Sequence, residues 1–193
     1  VGEPLALVIA DSRRVAEDAA SLVEVGYAEE DPVVTIADAR HGAPVHPGMT
    51  DNVNAQMGDE EIDAELAALL EGAPHRVTHR VVHQRISQSP METRGVVAVR
   101  DGAAELTLYI TCQSPHLVAR WVALALGLPP TAIRVIARDV GGGFGLKNHP
   151  WKEEVAVILA ALIFNRPLKW IEDRYENLVA ANQAREQDML LQV

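Results

Sequence analysis

The feature that most constrains this chain is Gly141-Gly142-Gly143-Phe144-Gly145, four glycines in five positions. It lies between an alternating run (Ile133, Val135 and Ala137 against Arg134, Ile136 and Arg138) and a stretch, Val155–Phe164, that is apolar nearly all round. Runs of those two kinds read as a strand and a buried helix, which makes the glycines a strand-to-helix connection. Glycine permits positive φ and lets the main chain approach a ligand, and successive N–H groups in such a turn can form a site for an anion. A tight structural turn explains the same composition, and both readings stay open on composition alone. Two nucleotide motifs fail on spacing. A dinucleotide fingerprint needs glycine where Leu146 stands, and a Walker loop needs Ser or Thr after Gly-Lys, whereas the chain has Gly145-Leu146-Lys147-Asn148.

The flanking elements define an α+β pattern. Arg94–Arg100 and Glu105–Thr111 are β-rich runs joined through Asp101-Gly102, a strong hairpin signal. Ser114-Pro115 opens a helix that carries Leu117, Val118, Trp121, Val122, Leu124 and Ala125 and stops at Gly127. Leu168–Ile171 reads as another strand. Upstream, Asp59 caps a helix to Leu70 with an Ile62, Leu66, Leu69 and Leu70 stripe, and Arg76–Ser87 alternates as a long strand. Leu5–Ala10 reads as a strand, Val15, Ala19, Leu22 and Val23 as a helix ended by Gly26, and Tyr27–Pro32 and Val33–Ile36 as extended pieces. The spacing thus predicts a β-α-β unit over residues 1–37. His41–Asn52, rich in Gly and Pro, separates the two parts.

Composition excludes several classes. Lys+Arg 17 against Asp+Glu 27 gives 17 − 27 = −10, and no basic run exceeds Arg13-Arg14, so nucleic acid is not an expected partner. The hydrophobic share of 48% is that of a chain able to bury a core. No stretch reaches the roughly 18 apolar residues of a membrane span, so no membrane partner is expected. Cys112, the single cysteine, excludes an internal disulfide framework or a Cys-ligated cluster and reads as a small buried hydrophobe, with a reducing cytoplasm the easier fit. His75, His79 and His83 would share a helical face, but the β pattern spreads them along a strand, against a metal site. Glu153-Glu154 open a helix, where a capping role is expected. His116 and Lys147 flank the glycines without a catalytic assignment, and Trp121, Trp151 and Trp170 read as core or interface residues. The beginning Val1-Gly2-Glu3-Pro4 lacks an initiator Met and Met189–Val193 reads as a strand without a partner, so both ends are expected to be cut.

Three ordered blocks carry a family resemblance: Thr111-Cys112-Gln113-Ser114-Pro115-His116, then Arg134 through Lys147, then Lys169 through Leu178. Together they resemble the large molybdenum-binding subunit of the xanthine dehydrogenase, aldehyde oxidase and carbon monoxide dehydrogenase family. Met91-Glu92-Thr93-Arg94-Gly95 is similar to the block that precedes the family's hairpin, with Thr93 in place of the usual proline. Val1–Glu30 resembles the last strand–helix–strand of the small hammerhead domain of those subunits. The resemblance implies an α+β fold: residues 1–40 the C-terminal part of a hammerhead-like domain, 41–53 a linker, and 54–193 the N-terminal part of a molybdopterin-binding domain with a mixed sheet.

The resemblance further implies a molybdenum hydroxylase that oxidises an aldehyde, a heterocycle or carbon monoxide with water as oxygen source. Its cofactor would be molybdopterin, as the cytosine dinucleotide in bacterial members. Electrons would leave through iron–sulfur and FAD centres on partner subunits or domains. The glutamine matching Gln113 holds an oxygen ligand of molybdenum in the family, and the loop matching Gly142, Gly143, Phe144 and Gly145 lies against the metal and pterin. Those five residues are the expected cofactor contacts. No residue matches the family's catalytic glutamate, so the chain alone is expected to be inactive and to act with the remainder of the large subunit. Asn148 stands where purine-oxidising members carry glutamate, which counts against purine substrates. Two other readings remain: a non-catalytic binding or assembly module, and a small anion- or nucleotide-binding protein that uses only the glycine nest.

Overall fold

The computed structural model describes residues 2–100 and 106–193. Two compact units divide it, Val1–Val25 with Ser87–Ala184, and Gly26–Ile86 with Arg185–Val193.

The first unit is built on a four-stranded mixed sheet. Strands β2 (Gly95–Val99) and β3 (Leu106–Ile110) are antiparallel with Val96 opposite Ile110 and Ala98 opposite Leu108. β5 (Leu168–Ile171) runs antiparallel to the other edge of β2, with Val96 opposite Trp170. β4 (Ile133–Ile136) lies parallel to β3, Leu106 opposite Ile133. The order is therefore β4-β3-β2-β5. The parallel pair needs a crossover, supplied by α4 (Pro115–Leu126), with Ser114 at its N-cap, Pro115 in its first turn and left-handed Gly127 (φ 67°) closing it. α5 (Lys152–Phe164) joins β4 to β5 across the full width of the sheet.

Side-chain alternation decides which face is covered. Val96, Ala98, Leu106, Leu108, Ile110 and Ile133 cluster with Val118 and Val122 of α4 and Val157, Ile158 and Ala161 of α5, whereas Tyr109 is half exposed on the opposite face. Each large side chain buried this way contributes about 1.5–3 kcal/mol. Cys112 belongs to the same cluster as a free thiol, and burial raises its pKa. α1 (Arg13–Ala20) belongs to this unit and buries no residue; α6 (Arg174–Ala180) follows β5.

The second unit holds α2 (Ile36–His41), α3 (Glu60–Gly72) and the two-stranded sheet of β1 (Thr78–Ile86) and β6 (Ala184–Gln192). Val77 and Val193 exchange both backbone hydrogen bonds, the antiparallel pattern. Arg80 pairs with Asp188 at 2.7 Å and Arg85 with Glu186. Asp59 caps α3 as its sequence position predicts, yet Ile62, Leu66 and Leu69 are all more than half exposed.

Several expectations are corrected. The described residues before Thr78 contain no strand, so the β-α-β unit over 1–37 is absent. Leu5, Leu7 and Ile9 are exposed and meet no neighbouring strand that could complete their hydrogen bonds. α1 stops at Ala20 with Ser21 as its cap, six residues short of Gly26. Residues 36–41 turn helical because Thr35 and Asp38 form a reciprocal capping box at 3.0 Å, and the same device at Asp173 and Glu176 starts α6, which the periodicity did not reveal. Met189–Val193 has a partner after all, in β1. The Asp101-Gly102 turn lies outside the described residues, although the two strands it was expected to join do pair. Among the described residues no helix is long and apolar enough to cross a membrane.

The packing predicts that Leu108→Ala, at a fully buried position, lowers the stability of this unit by roughly 2–5 kcal/mol. Urea denaturation followed by tryptophan fluorescence checks this, and a shift of the midpoint close to zero would mean that the helices do not pack on this sheet face.

Candidate functional site

The bend between β4 and α5 has left-handed backbone at Gly142 (φ 98°), Phe144 (φ 52°) and Gly145 (φ 91°). The turn is closed by the Leu146 N–H donating to Gly143 O at 2.9 Å. Gln113, between the end of β3 and the start of α4, reaches into it. Its Oε1 accepts from the Gly145 N–H at 3.0 Å and the Lys147 N–H at 3.2 Å, and its own N–H donates to Lys147 O at 2.9 Å. Gly143 is glycine for a steric reason: a Cβ there would stand 2.3 Å from Gln113 Oε1. The structure thus brings Gln113, Gly142, Gly143, Phe144 and Gly145 together.

The orientation of the carboxamide matters chemically. Two N–H donors face its oxygen, which leaves Nε2 as the group free to donate elsewhere. Among the described residues no acceptor faces Nε2, nor the N–H groups of Gly142, Gly143 and Phe144. Gly143 is itself buried, and a buried N–H without an acceptor is rare in folded proteins. The Phe144 side chain is 71% exposed beside them.

A second clamp holds the bend from the other side. Glu92 Oε2 accepts from the Gly141 N–H at 2.8 Å and from Lys147 Nζ at 2.9 Å, and the Glu92 N–H donates to Gly141 O at 3.1 Å. Lys147 is buried, not on the surface as a lysine normally is, and Glu92 is the carboxylate that lets it be. Partial burial acts to raise the Glu92 pKa, but Lys147 and the Gly141 N–H outweigh it and hold the carboxyl below its ordinary value.

Two residues further on, Arg94 anchors the block into the core. Its Nε and terminal nitrogen donate to Glu172 Oε1 at 3.0 and 2.6 Å, its N–H to Glu172 Oε2 at 3.0 Å, and its second terminal nitrogen to Glu153 at 3.2 Å. The guanidinium also lies over the Trp170 ring, 5.5 Å from its centre. Asn177 donates to Glu172 Oε2 at 2.8 Å, and Arg174 donates to Asn177 Oδ1 and to the carbonyls of Pro90 and Met91. Thr93 donates its hydroxyl to Glu172 O at 2.7 Å. Glu154, 2% exposed, accepts from the Trp151 N–H at 2.8 Å, which is the capping role expected of it. Burial pushes its carboxyl up to about 7, against the pull of that N–H and of Arg94.

Periodicity did not reveal Glu92, Arg94, Lys147 and Glu172 as a connected set, because their partners lie 55 to 78 positions apart in sequence. The Met91–Gly95 block was the one available signal. Of the other singled-out residues, His79, His83, His116 and Trp121 make no hydrogen bond to the bend's main chain or to Gln113 among the described residues. His79 and His83 are exposed in β1, His116 is exposed on α4, and Trp121 meets His149 edge-on at 6.1 Å. The described residues contain no group of three His, Cys, Asp or Glu able to hold a metal ion. A cavity of about 490 Å³ on the sheet, lined by Tyr109, Ile136, Arg138 and Ile171 among others, does not include Gln113 or Gly142–Gly145.

Fold and bend together define a cofactor-binding domain, and residues 45–193 match the sequence model of the molybdopterin cofactor-binding domain. The chain belongs to that family, which includes the large subunits of xanthine dehydrogenases and carbon monoxide dehydrogenases. It is 38% identical over 198 residues to the nicotine 6-hydroxylase large subunit of Paenarthrobacter nicotinovorans, covering 100% of this chain and 24% of that one. It is 34% identical over 201 residues to the carbon monoxide dehydrogenase large chain of Hydrogenophaga pseudoflava, 97% of this chain and 25% of that one. Among solved structures it is similar to quinoline 2-oxidoreductase from Pseudomonas putida 86, with a TM-score of 0.77 and 38% identity over 93% of this chain and 23% of that one. The chain therefore spans about a quarter of the length of these relatives.

Two outcomes are expected. Arg94→Met leaves the Glu172 carboxylate buried without its countercharge and costs about 3–5 kcal/mol in urea denaturation; a cost under about 1 kcal/mol would show that the network is dispensable. Glu154 binds its proton more tightly folded than unfolded, so its contribution is most favourable at the acid end of the window and declines as pH rises from 4.5 to about 7. Glu154→Gln keeps an acceptor for Trp151 and removes that decline, seen as a flatter plot of denaturation midpoint against pH; an unchanged slope would place the titration elsewhere.

Proposed function

We propose that this chain forms one wall of the molybdopterin site in the large subunit of a molybdenum hydroxylase, an enzyme that oxidises its substrate with water as oxygen source. The observation that carries the reading is the donor set at the bend: three successive N–H groups, from Gly142 to Phe144, that meet no acceptor among the described residues, next to Nε2 of Gln113, which meets none there either. Neutral donors of this kind fit an electron-rich, anionic group without adding charge, and the one cation at the bend, Lys147, is already neutralised by Glu92. The bound cofactor would supply two-electron redox chemistry; this chain's part is to hold and orient it. Gln113, Gly142, Gly143, Phe144 and Gly145 are the proposed contacts, with Gln113 donating through Nε2 and the glycines admitting the cofactor close to the main chain.

The remaining parts of the proposal follow from the family. Residues 54–193 are the N-terminal part of the cofactor-binding domain, 41–53 a linker, and 1–40 the end of a hammerhead-like domain. The matched family region begins at residue 45, inside that linker. The cofactor is proposed as the cytosine dinucleotide form, with iron–sulfur and FAD partners taking the electrons, in the cytoplasm. Two of the similar proteins are named for nicotine and quinoline, which favours an aromatic nitrogen heterocycle over an aldehyde or carbon monoxide as substrate. The 193-residue chain alone is inactive.

Metal and pterin analysis of the full-length protein, purified with its neighbouring subunits, tests the reading: stoichiometric molybdenum and pterin are expected, and their absence would refute it. Gly143→Ala drives a methyl against Gln113 Oε1 and displaces one of the two, so the retained pterin falls roughly tenfold to a hundredfold while the fold persists.

A further inference from the structure

Gly141 and Lys147 bound the bend, and one oxygen of Glu92 takes both, the Gly141 N–H at 2.8 Å and Lys147 Nζ at 2.9 Å. Backbone pairing of Glu92 N–H with Gly141 O engages the other polar group of that glycine. A side chain at residue 141 could not coexist with this contact, since its Cβ would lie 2.6 Å from Glu92 Cβ. From the opposite side Gln113 takes the N–H groups of Gly145 and Lys147. Every bend donor except three is thereby committed, and the three left over are consecutive. A segment with glycines at positive φ has many conformations open to it, and ordering it on ligand binding subtracts from affinity unless the protein has ordered it beforehand.

We infer that Glu92 is a positioning residue: its carboxylate, held by buried Lys147, fixes the bend at Gly141 so that the N–H groups of Gly142, Gly143 and Phe144 remain free and ordered for the cofactor. This rests on the function proposed above. A carboxylate suits the position because Lys147, without surface exposure, requires a countercharge, while the same oxygen accepts from the main chain. The competing account is that Glu92 serves Lys147 alone, as a buried ion pair with no consequence for the bend.

Three variants of the full-length protein separate the accounts. Glu92→Asp keeps the charge but shortens the reach, so it cannot serve Gly141 and Lys147 together. Glu92→Leu with Lys147→Met removes both charges and every acceptor for Gly141. Glu92→Gln with Lys147→Met removes both charges and retains an acceptor. Measured are the melting temperature, the pterin and molybdenum retained after dialysis, and amide hydrogen exchange across residues 141–147 in cofactor-stripped protein. If Glu92 positions the bend, Glu92→Asp and the Leu/Met pair retain cofactor roughly tenfold to a hundredfold less well and exchange faster at 142–145, at near wild-type melting temperature; the Gln/Met pair recovers part of both. Wild-type retention and exchange in the Leu/Met pair and in Glu92→Asp would overturn the inference. A wild-type protein devoid of molybdenum and pterin would refute the cofactor reading itself, and the exchange comparison would then decide the role of Glu92 alone, faster exchange supporting it and unchanged exchange overturning it.

Discussion

The buried pair of Arg94 and Glu172 is the interaction on which the rest of the first unit depends. Both residues are 2% exposed, and each carries a charge whose removal from water costs several kcal/mol before any contact is made. That cost is offset only by complete satisfaction. Glu172 receives three bonds from Arg94 and one from Asn177, and its backbone N–H returns to Arg94 O at 3.0 Å. A pair of this kind adds less to net stability than an apolar contact of equal size, but it tolerates no alternative register. It sits where β2 begins and β5 ends, beside the opposed residues Gly95 and Ile171, and it fixes how those strands align.

Register at that point propagates to the bend through two residues of chain. With Arg94 locked, Glu92 is carried to Gly141 and Lys147, and the Thr93 hydroxyl ties the segment to Glu172 O. Proline, the residue usual at this position in the family, would offer no such hydroxyl; Thr93 replaces its stiffness with a hydrogen bond. Gln113 approaches at the same end of the sheet, set by the end of β3 and by the Thr111 N–H bonded to Gly95 O at 3.1 Å. Gly95 therefore links the two clamps: it lies three residues after Glu92 and is hydrogen-bonded to Thr111, two residues before Gln113. The glycine bend is held by a rigid sheet at both flanks, although it is itself irregular.

What was legible in the sequence follows from how local each signal was. β2, β3, β4, β5, α4 and α5 were readable because alternation, full apolar character and caps such as Ser114-Pro115 and Gly127 are short-range patterns. The capping boxes at Thr35 and Asp173 were equally local, and they were missed because the apolar pattern around them is weak and the segments short. The strands expected before residue 37 failed for the opposite reason: Leu5–Ala10 has strand composition, but a strand exists only with a neighbour, and composition does not name one. The burial of Lys147 was illegible in kind, since a lysine after a glycine loop looks exposed until Glu92, 55 residues away, is placed beside it. Motif resemblance named Gln113 and the bend together, which neither spacing nor composition could do, yet it placed no weight on Glu92.

Charge balance explains why this arrangement sits at the edge of the core and not within it. Arg94 faces three carboxylates, those of Glu153, Glu154 and Glu172, and one positive charge cannot support three negative ones in a region this poorly hydrated. Two relaxations follow. Glu153 keeps partial exposure, its side chain 20% accessible, and shares its charge with water. Glu154, which has no such access, holds its proton up to about pH 7 and accepts only from a backbone N–H at the start of α5. The same helix start places Trp151, whose indole N–H donates to Leu146 O at 2.7 Å, on the final residue of the bend. The polar layer thus extends from Glu172 to Leu146, each buried side-chain N or O atom among the described residues has a partner, and within Gly141–Lys147 the main-chain N–H groups that face no acceptor are those of Gly142, Gly143 and Phe144. Three consecutive main-chain N–H groups and one carboxamide nitrogen that face no acceptor among the described residues are gathered at one place, between two clamps that hold the chain on either side of them.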